Sequence, residues 1–154
     1  MGRGRLAFEE FCMAQASSNR PISPHLQIWR WGPAMLVSIL HRVTGNGLTF
    51  AGLGLLLWWI GAIAGGEQSY QTFIAYVWTG TASPLSGLTS ILGKVVLIGL
   101  TWAFFQHLAT GVRHLVLDVG AGYELDANAR WSVLTMVFSV LATALFWAFV
   151  LLPR

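Results

Sequence analysis

The sequence predicts an all-α integral membrane protein with three transmembrane helices, and three observations carry that prediction. Hydrophobic residues make up 55% of the 154-residue chain and charged residues only 10%, far from the balance of a water-soluble domain. The mean hydropathy is positive, at +0.63. The apolar residues are gathered into three runs, each long enough to cross roughly 30 Å of hydrocarbon at about 1.5 Å per helical residue. The formal net charge of +3 comes largely from arginines near the N-terminus and at helix ends. It therefore speaks of membrane orientation and contact with lipid headgroups; without a long basic stretch, no nucleic-acid partner is expected. Cys12 is the single cysteine, so the chain has neither an internal disulfide nor the ligands of a zinc site.

Residues 1–32 read as an N-terminal tail and interfacial segment. Arg3 and Arg5 are followed by Glu9 and Glu10 rather than by the apolar core of a secretory signal, so the tail is expected to be retained, and its acidic residues favour a bacterial over a mitochondrial chain. Residues 33–152 read as one membrane domain with spans at about 33–66, 88–117 and 131–152. Val43 to Gly66 carries no charge, and its helix is expected to start near Pro33. The second span is the polar one, with Lys94 near one end and Gln106, His107, Arg113 and His114 in its later half. The third has no ionisable side chain between Trp131 and Leu152, which suits packing against neighbours or facing lipid. Between the first two spans, "YQTFIAYVW" is aromatic enough to lie in the membrane interface. Arg3, Arg5, Arg20, Arg30 and Arg42 precede the first span, and Arg113 and Arg130 flank the second loop. The positive-inside rule then puts the N-terminus and second loop on the cytoplasmic or matrix side.

Two clusters carry chemistry. In "SILHRVTG", Ser38, His41 and Arg42 fall at i, i+3 and i+4, so a helix presents them on one face. Arg42 alone also fits a headgroup anchor; His41 beside it points to a pocket. In "HLATGVRHLVLDVG", His107, Gly111, His114 and Asp118 form one helical stripe. His107 lies about ten residues, roughly 15 Å, inward from the helix end. At that depth an imidazole is held by a neighbouring helix or binds a metal or cofactor through a neutral nitrogen. Gly111 removes bulk one turn away, where a porphyrin bound to His107 would lie against the helix. Its carboxylates would then meet His41, Arg42, Arg113 and His114 at the inner boundary. His114 and Asp118 equally fit an i,i+4 hydrogen-bonded pair that fixes the helix end. On straight helices His41 is expected about 10 Å shallower than His107, which leaves the second axial ligand to another subunit.

"RPISPHLQIWRWGPAMLVSILHRVTG", residues 20–45, and "HLATGVRHLVLDVG", residues 107–120, with the order and number of spans, resemble the large cytochrome b membrane-anchor subunit of succinate dehydrogenase (respiratory complex II). The resemblance implies that His107 is one axial ligand of a haem b shared with the small membrane-anchor subunit. It implies a ubiquinone pocket formed with Ser38 and Arg42, for which Trp31 and Leu26 offer apolar walls, and it places His41 and His114 near the haem propionates. It also implies a complex with a flavoprotein and an iron-sulfur protein, in the bacterial inner membrane or, as second choice, the mitochondrial one. This chain has none of the flavin, iron-sulfur or succinate sites, so its part is to help pass electrons from the iron-sulfur subunit to quinone. Two rival readings are a haem-free structural anchor and a proton-relay or transport subunit; the nearly all-apolar "VVLIGLTWAFF" outward of His107 disfavours the second rival.

Overall fold

A computed structural model of the chain describes residue 28 and residues 30–81 and 86–152. Leu26 and Cys12 lie outside the described residues. The chain divides into two units, Met1–Trp31 and Gly32–Arg154. Within the first, Trp31 is exposed.

The second unit is helical, with no strand among the described residues. Helix α1, Pro33–Gly47, starts with proline in its first turn after Gly32, where a missing N–H costs nothing. A π-helical turn, Leu48–Gly52, joins it to α2, Leu53–Ala64. Together they form the first apolar span, Pro33–Ala64. Gly66, at φ 86°, turns the chain into α3, Glu67–Ile74, with Glu67 at the positive end of the helix dipole. A second π-helical turn, Ala75–Thr79, ends at Gly80 in the left-handed region, at φ 72°. Helix α4 is Ser86–Asp118 and α5 is Leu125–Leu151. Both are long and apolar enough to span a membrane.

Helix α4 packs against both α1 and α5, and α1 also touches α5. The polarity of this bundle is inverted relative to a water-soluble core. Gln106, Thr110, Ser132 and Ser139 are 0% exposed, whereas Leu57 is 60% and Leu145 71% exposed. Hydrocarbon outside accounts for this, because lipid gives leucine no reason to be buried while a polar group facing it lacks a partner. Ser132, Thr135, Ser139 and Thr143 make one buried stripe on α5. The hydroxyls of Ser132, Thr135 and Thr143 donate to carbonyls of their own helix, while Ser139 Oγ donates across to Gln106 Oε1 at 2.6 Å. Small side chains let the two backbones approach, and this inter-helix bond fixes how α4 is rolled against α5.

Two features differ from the sequence expectation. The third apolar helix starts at Leu125, not near Trp131. Its first turns carry Asp126 and Arg130, which hydropathy excludes from the hydrocarbon but the helix retains, with Asp126 at the positive end of the dipole. The aromatic connection also packs into the bundle: Phe73 and Val77 are buried against Ala62, with Leu55 and Leu97 beside them. Gly93 permits the approach, since any Cβ there would collide with the Val77 carbonyl. Ser90 Oγ donates to the Trp78 carbonyl at 2.8 Å, Lys94 Nζ lies 5.4 Å from the centre of the Trp78 ring, and Trp78 stacks on Trp147 at 6.1 Å. These contacts tie the connection to both α4 and α5.

Candidate functional site

Periodicity sets the site. On α1, Val37, His41 and Thr44 recur at i, i+4 and i+7, and Val37 and Thr44 are buried. On α4, His107, Thr110 and His114 recur at i, i+3 and i+7. Where these stripes meet, the His41 and His107 rings stack with centroids 4.0 Å apart and planes 7° from parallel. His114 meets His41 in a T-shaped contact, with centroids 5.1 Å apart and planes at 61°. His41 is therefore the middle ring of three.

The stacking overturns the expected 10 Å difference in depth. The sequence reading took the charge at Arg42 as the boundary, but α1 already begins at Pro33. His41 lies eight residues, about 12 Å, inside its helix, and His107 lies eleven residues, about 16 Å, from the end of α4. The two rings are neighbours. Parallel rings in face contact still cannot sit on opposite sides of one metal ion, which would have to lie in the plane of both. Among the described residues, no three His, Cys, Asp or Glu side chains converge as a metal site. A metal at His107 needs ligands from elsewhere.

The hydrogen bonds define which nitrogen is on offer. His107 Nδ1 lies 3.2 Å from the His41 backbone carbonyl. A carbonyl oxygen accepts only, so Nδ1 carries the proton of the neutral ring and Nε2 is the nitrogen with the lone pair. Thr44 Oγ1 is a further neighbour of the same Nδ1 at 3.5 Å, while its own hydroxyl donates to the Leu40 carbonyl at 2.7 Å. Gly45 supplies the room: a Cβ there would stand 2.8 Å from His107 Cε1. Gly111, which the sequence reading kept small for a porphyrin bound to His107, has open space at its Cβ position.

Of the other expected site residues, Ser38 is half-buried and Arg42 exposed on α1. Asp118 is exposed at the end of α4, and His114 turns to His41. Arg113 does not join the cluster. It is buried toward α5 and donates to Asn128 Oδ1, because one residue along a helix from His114 is a rotation of about 100°. Sequence reasoning missed Thr44, Gly45 and Thr110. Gly45 ends the "SILHRVTG" stretch, so its position was available, but its partner is on another helix.

An apolar cavity of about 770 Å³ lies beyond this cluster, toward the C-terminal half of the first span, with Leu48, Gly52, Trp59, Phe73, Leu100 and Phe104 in its wall.

Residues 16–146, which take in both clusters and reach into α5, match the family described as succinate dehydrogenase/fumarate reductase transmembrane subunit. The chain belongs to that family. Among its relatives is the succinate dehydrogenase cytochrome b556 subunit of Paracoccus denitrificans, 36% identical over 135 residues, covering 85% of this chain and 95% of the relative. The cytochrome b556 subunit of Rickettsia felis is 32% identical over 130 residues, 84% of this chain and 92% of that one. The mitochondrial cytochrome b560 subunit of Mus musculus is 32% identical over 139 residues, 88% and 74% of the two chains. As a family member, the chain carries its stacked imidazoles on the first and second of three membrane helices.

Proposed function

We propose that this chain is the cytochrome b anchor subunit of a succinate:quinone oxidoreductase, with His107 as one axial ligand of a haem b. The observation that carries this is the bond from His107 Nδ1–H to the His41 carbonyl. It fixes the tautomer that leaves Nε2 to an iron, the arrangement of a metal-binding histidine with its second nitrogen held. The names of the relatives, all cytochrome b subunits, agree with it.

When bound, haem b supplies a one-electron store near the quinone. The rest of the work falls to side chains of this chain and its partners. His107 holds and orients the group. A second ligand would come from the small anchor subunit, since His41 lies face to face with His107. His41 and His114 are the ring side chains of this chain expected nearest the haem propionates. Ser38 donates a hydrogen bond to a quinone carbonyl, and the exposed Arg42 guanidinium favours negative charge as the quinone is reduced. Electrons come from succinate through flavoprotein and iron-sulfur subunits, and the chain stands in a bacterial inner membrane with its N-terminus and α4–α5 loop inward, as the arginine bias supports.

The test is a dithionite-reduced minus oxidised optical spectrum of the purified complex, wild type against His107→Ala. A b-type band in the wild type that vanishes in the variant is the expected result. No band in an intact wild-type complex would leave a haem-free anchor, and a band retained in His107→Ala would move the ligand elsewhere.

A further inference from the structure

His41 Nδ1 lies 2.6 Å from Thr110 Oγ1, the shortest polar contact between α1 and α4 among the described residues. Thr110 is wholly buried, so water does not compete for it. Its hydroxyl has carbonyl acceptors on its own helix, Gln106 at 2.7 Å and His107 at 3.0 Å. A hydroxyl has one proton and two lone pairs. Donating that proton to a carbonyl leaves the oxygen as acceptor for His41 Nδ1–H, and this arrangement satisfies more groups than the reverse. Thr110 therefore holds the His41 ring in a single tautomer and a single plane. That ring lies 4.0 Å above His107 and only 7° from parallel to it, and the carbonyl of the same residue takes the His107 Nδ1 proton.

We propose that Thr110 is a positioning residue for the haem ligand: its hydroxyl oxygen clamps the His41 ring, and the clamped ring sets the plane of His107. The proposal rests on the reading of His107 as axial ligand. The chain of action is one step longer than an ordinary outer-shell bond, because the group that orients the ligand by stacking is itself oriented by a hydrogen bond.

Thr110→Val keeps the branched shape and removes the oxygen; Thr110→Ser keeps the oxygen. Both are compared with wild type in the assembled complex by two measurements. Solid-state NMR with 15N-histidine reads which His41 nitrogen carries the proton, without need of haem. Wild type and Thr110→Ser are expected to show protonated Nδ1, and Thr110→Val to lose that single signature. Low-temperature EPR of the oxidised complex reads the ligand planes, and the largest g value of the low-spin haem is expected to shift in Thr110→Val and to return in Thr110→Ser. An unchanged His41 signature in Thr110→Val would overturn the clamp, and a changed signature with an unmoved g value would overturn its effect on His107. Failure of the ligand reading itself appears separately, as haem retained in His107→Ala.

Discussion

At the scale of single residues, the site depends on what is small as much as on what is chemically active. Gly45→Ala puts a methyl group within 2.8 Å of His107 Cε1, and helical backbone cannot retreat far. The ring must move, which breaks its bond to the His41 carbonyl; a loss of about 10- to 100-fold in haem retention is expected, the usual cost of disturbing an outer-shell partner. Haem content per purified complex checks it. Arg42→Ala is expected to lower quinone reduction while reduction of an artificial dye by the soluble subunits stays intact. Equal loss of both activities would instead mean failed assembly. The imidazoles and Arg42 were legible in the sequence because such groups are rare in apolar helices and stand out wherever they occur. Thr110 and Gly45 were not, since hydroxyls and glycines are common in membrane helices and acquire meaning only through a partner, 69 residues away for Thr110. Arg113 was legible as a charge but not as to direction, for the side of α4 it faces depends on where α5 lies.

Among the elements, the buried polar seam between α4 and α5 does the work that apolar packing does in water. Ser139→Ala removes the hydroxyl that donates to the Gln106 amide oxygen in a site that is 0% exposed. The variant is expected to be destabilised by about 1–3 kcal/mol, the range for an unsatisfied buried group. A double-mutant cycle with Gln106→Leu is expected to return a coupling of only about 0.6 kcal/mol, in keeping with polar pairs in other membrane bundles. Thermal unfolding in detergent measures both. Gly93→Val, by contrast, acts through shape: the side chain collides with the backbone at Val77 and is expected to detach the 67–79 connection from α4. Limited proteolysis within that connection would detect the change. Hydropathy located all three long helices, because length and apolarity are properties of sequence alone. It could not foresee that the connection folds inward, which depends on a glycine on one element and a carbonyl on another.

For the molecule as a whole, the described surface of the bundle is largely apolar, and the three imidazoles gather where α1 meets α4. On the proposed reading, in which this chain supplies His107 and the partner anchor subunit the second ligand, the chain is expected to hold haem weakly when produced alone and firmly with that partner. Haem retention through purification, with and without that partner, decides the matter. The π-helical turn at Leu48–Gly52 adds a consequence for how such a rod can change over time. A π turn accommodates about one residue more than an α turn, and removing one residue there would rotate everything beyond it by about 100°. Before the turn lie His41, Thr44 and Gly45; after it lies Trp59, in the wall of the apolar cavity. The first span is thus two modules on a single rod with a phase adjuster between them, so the second half can be re-aimed while the imidazoles keep their register.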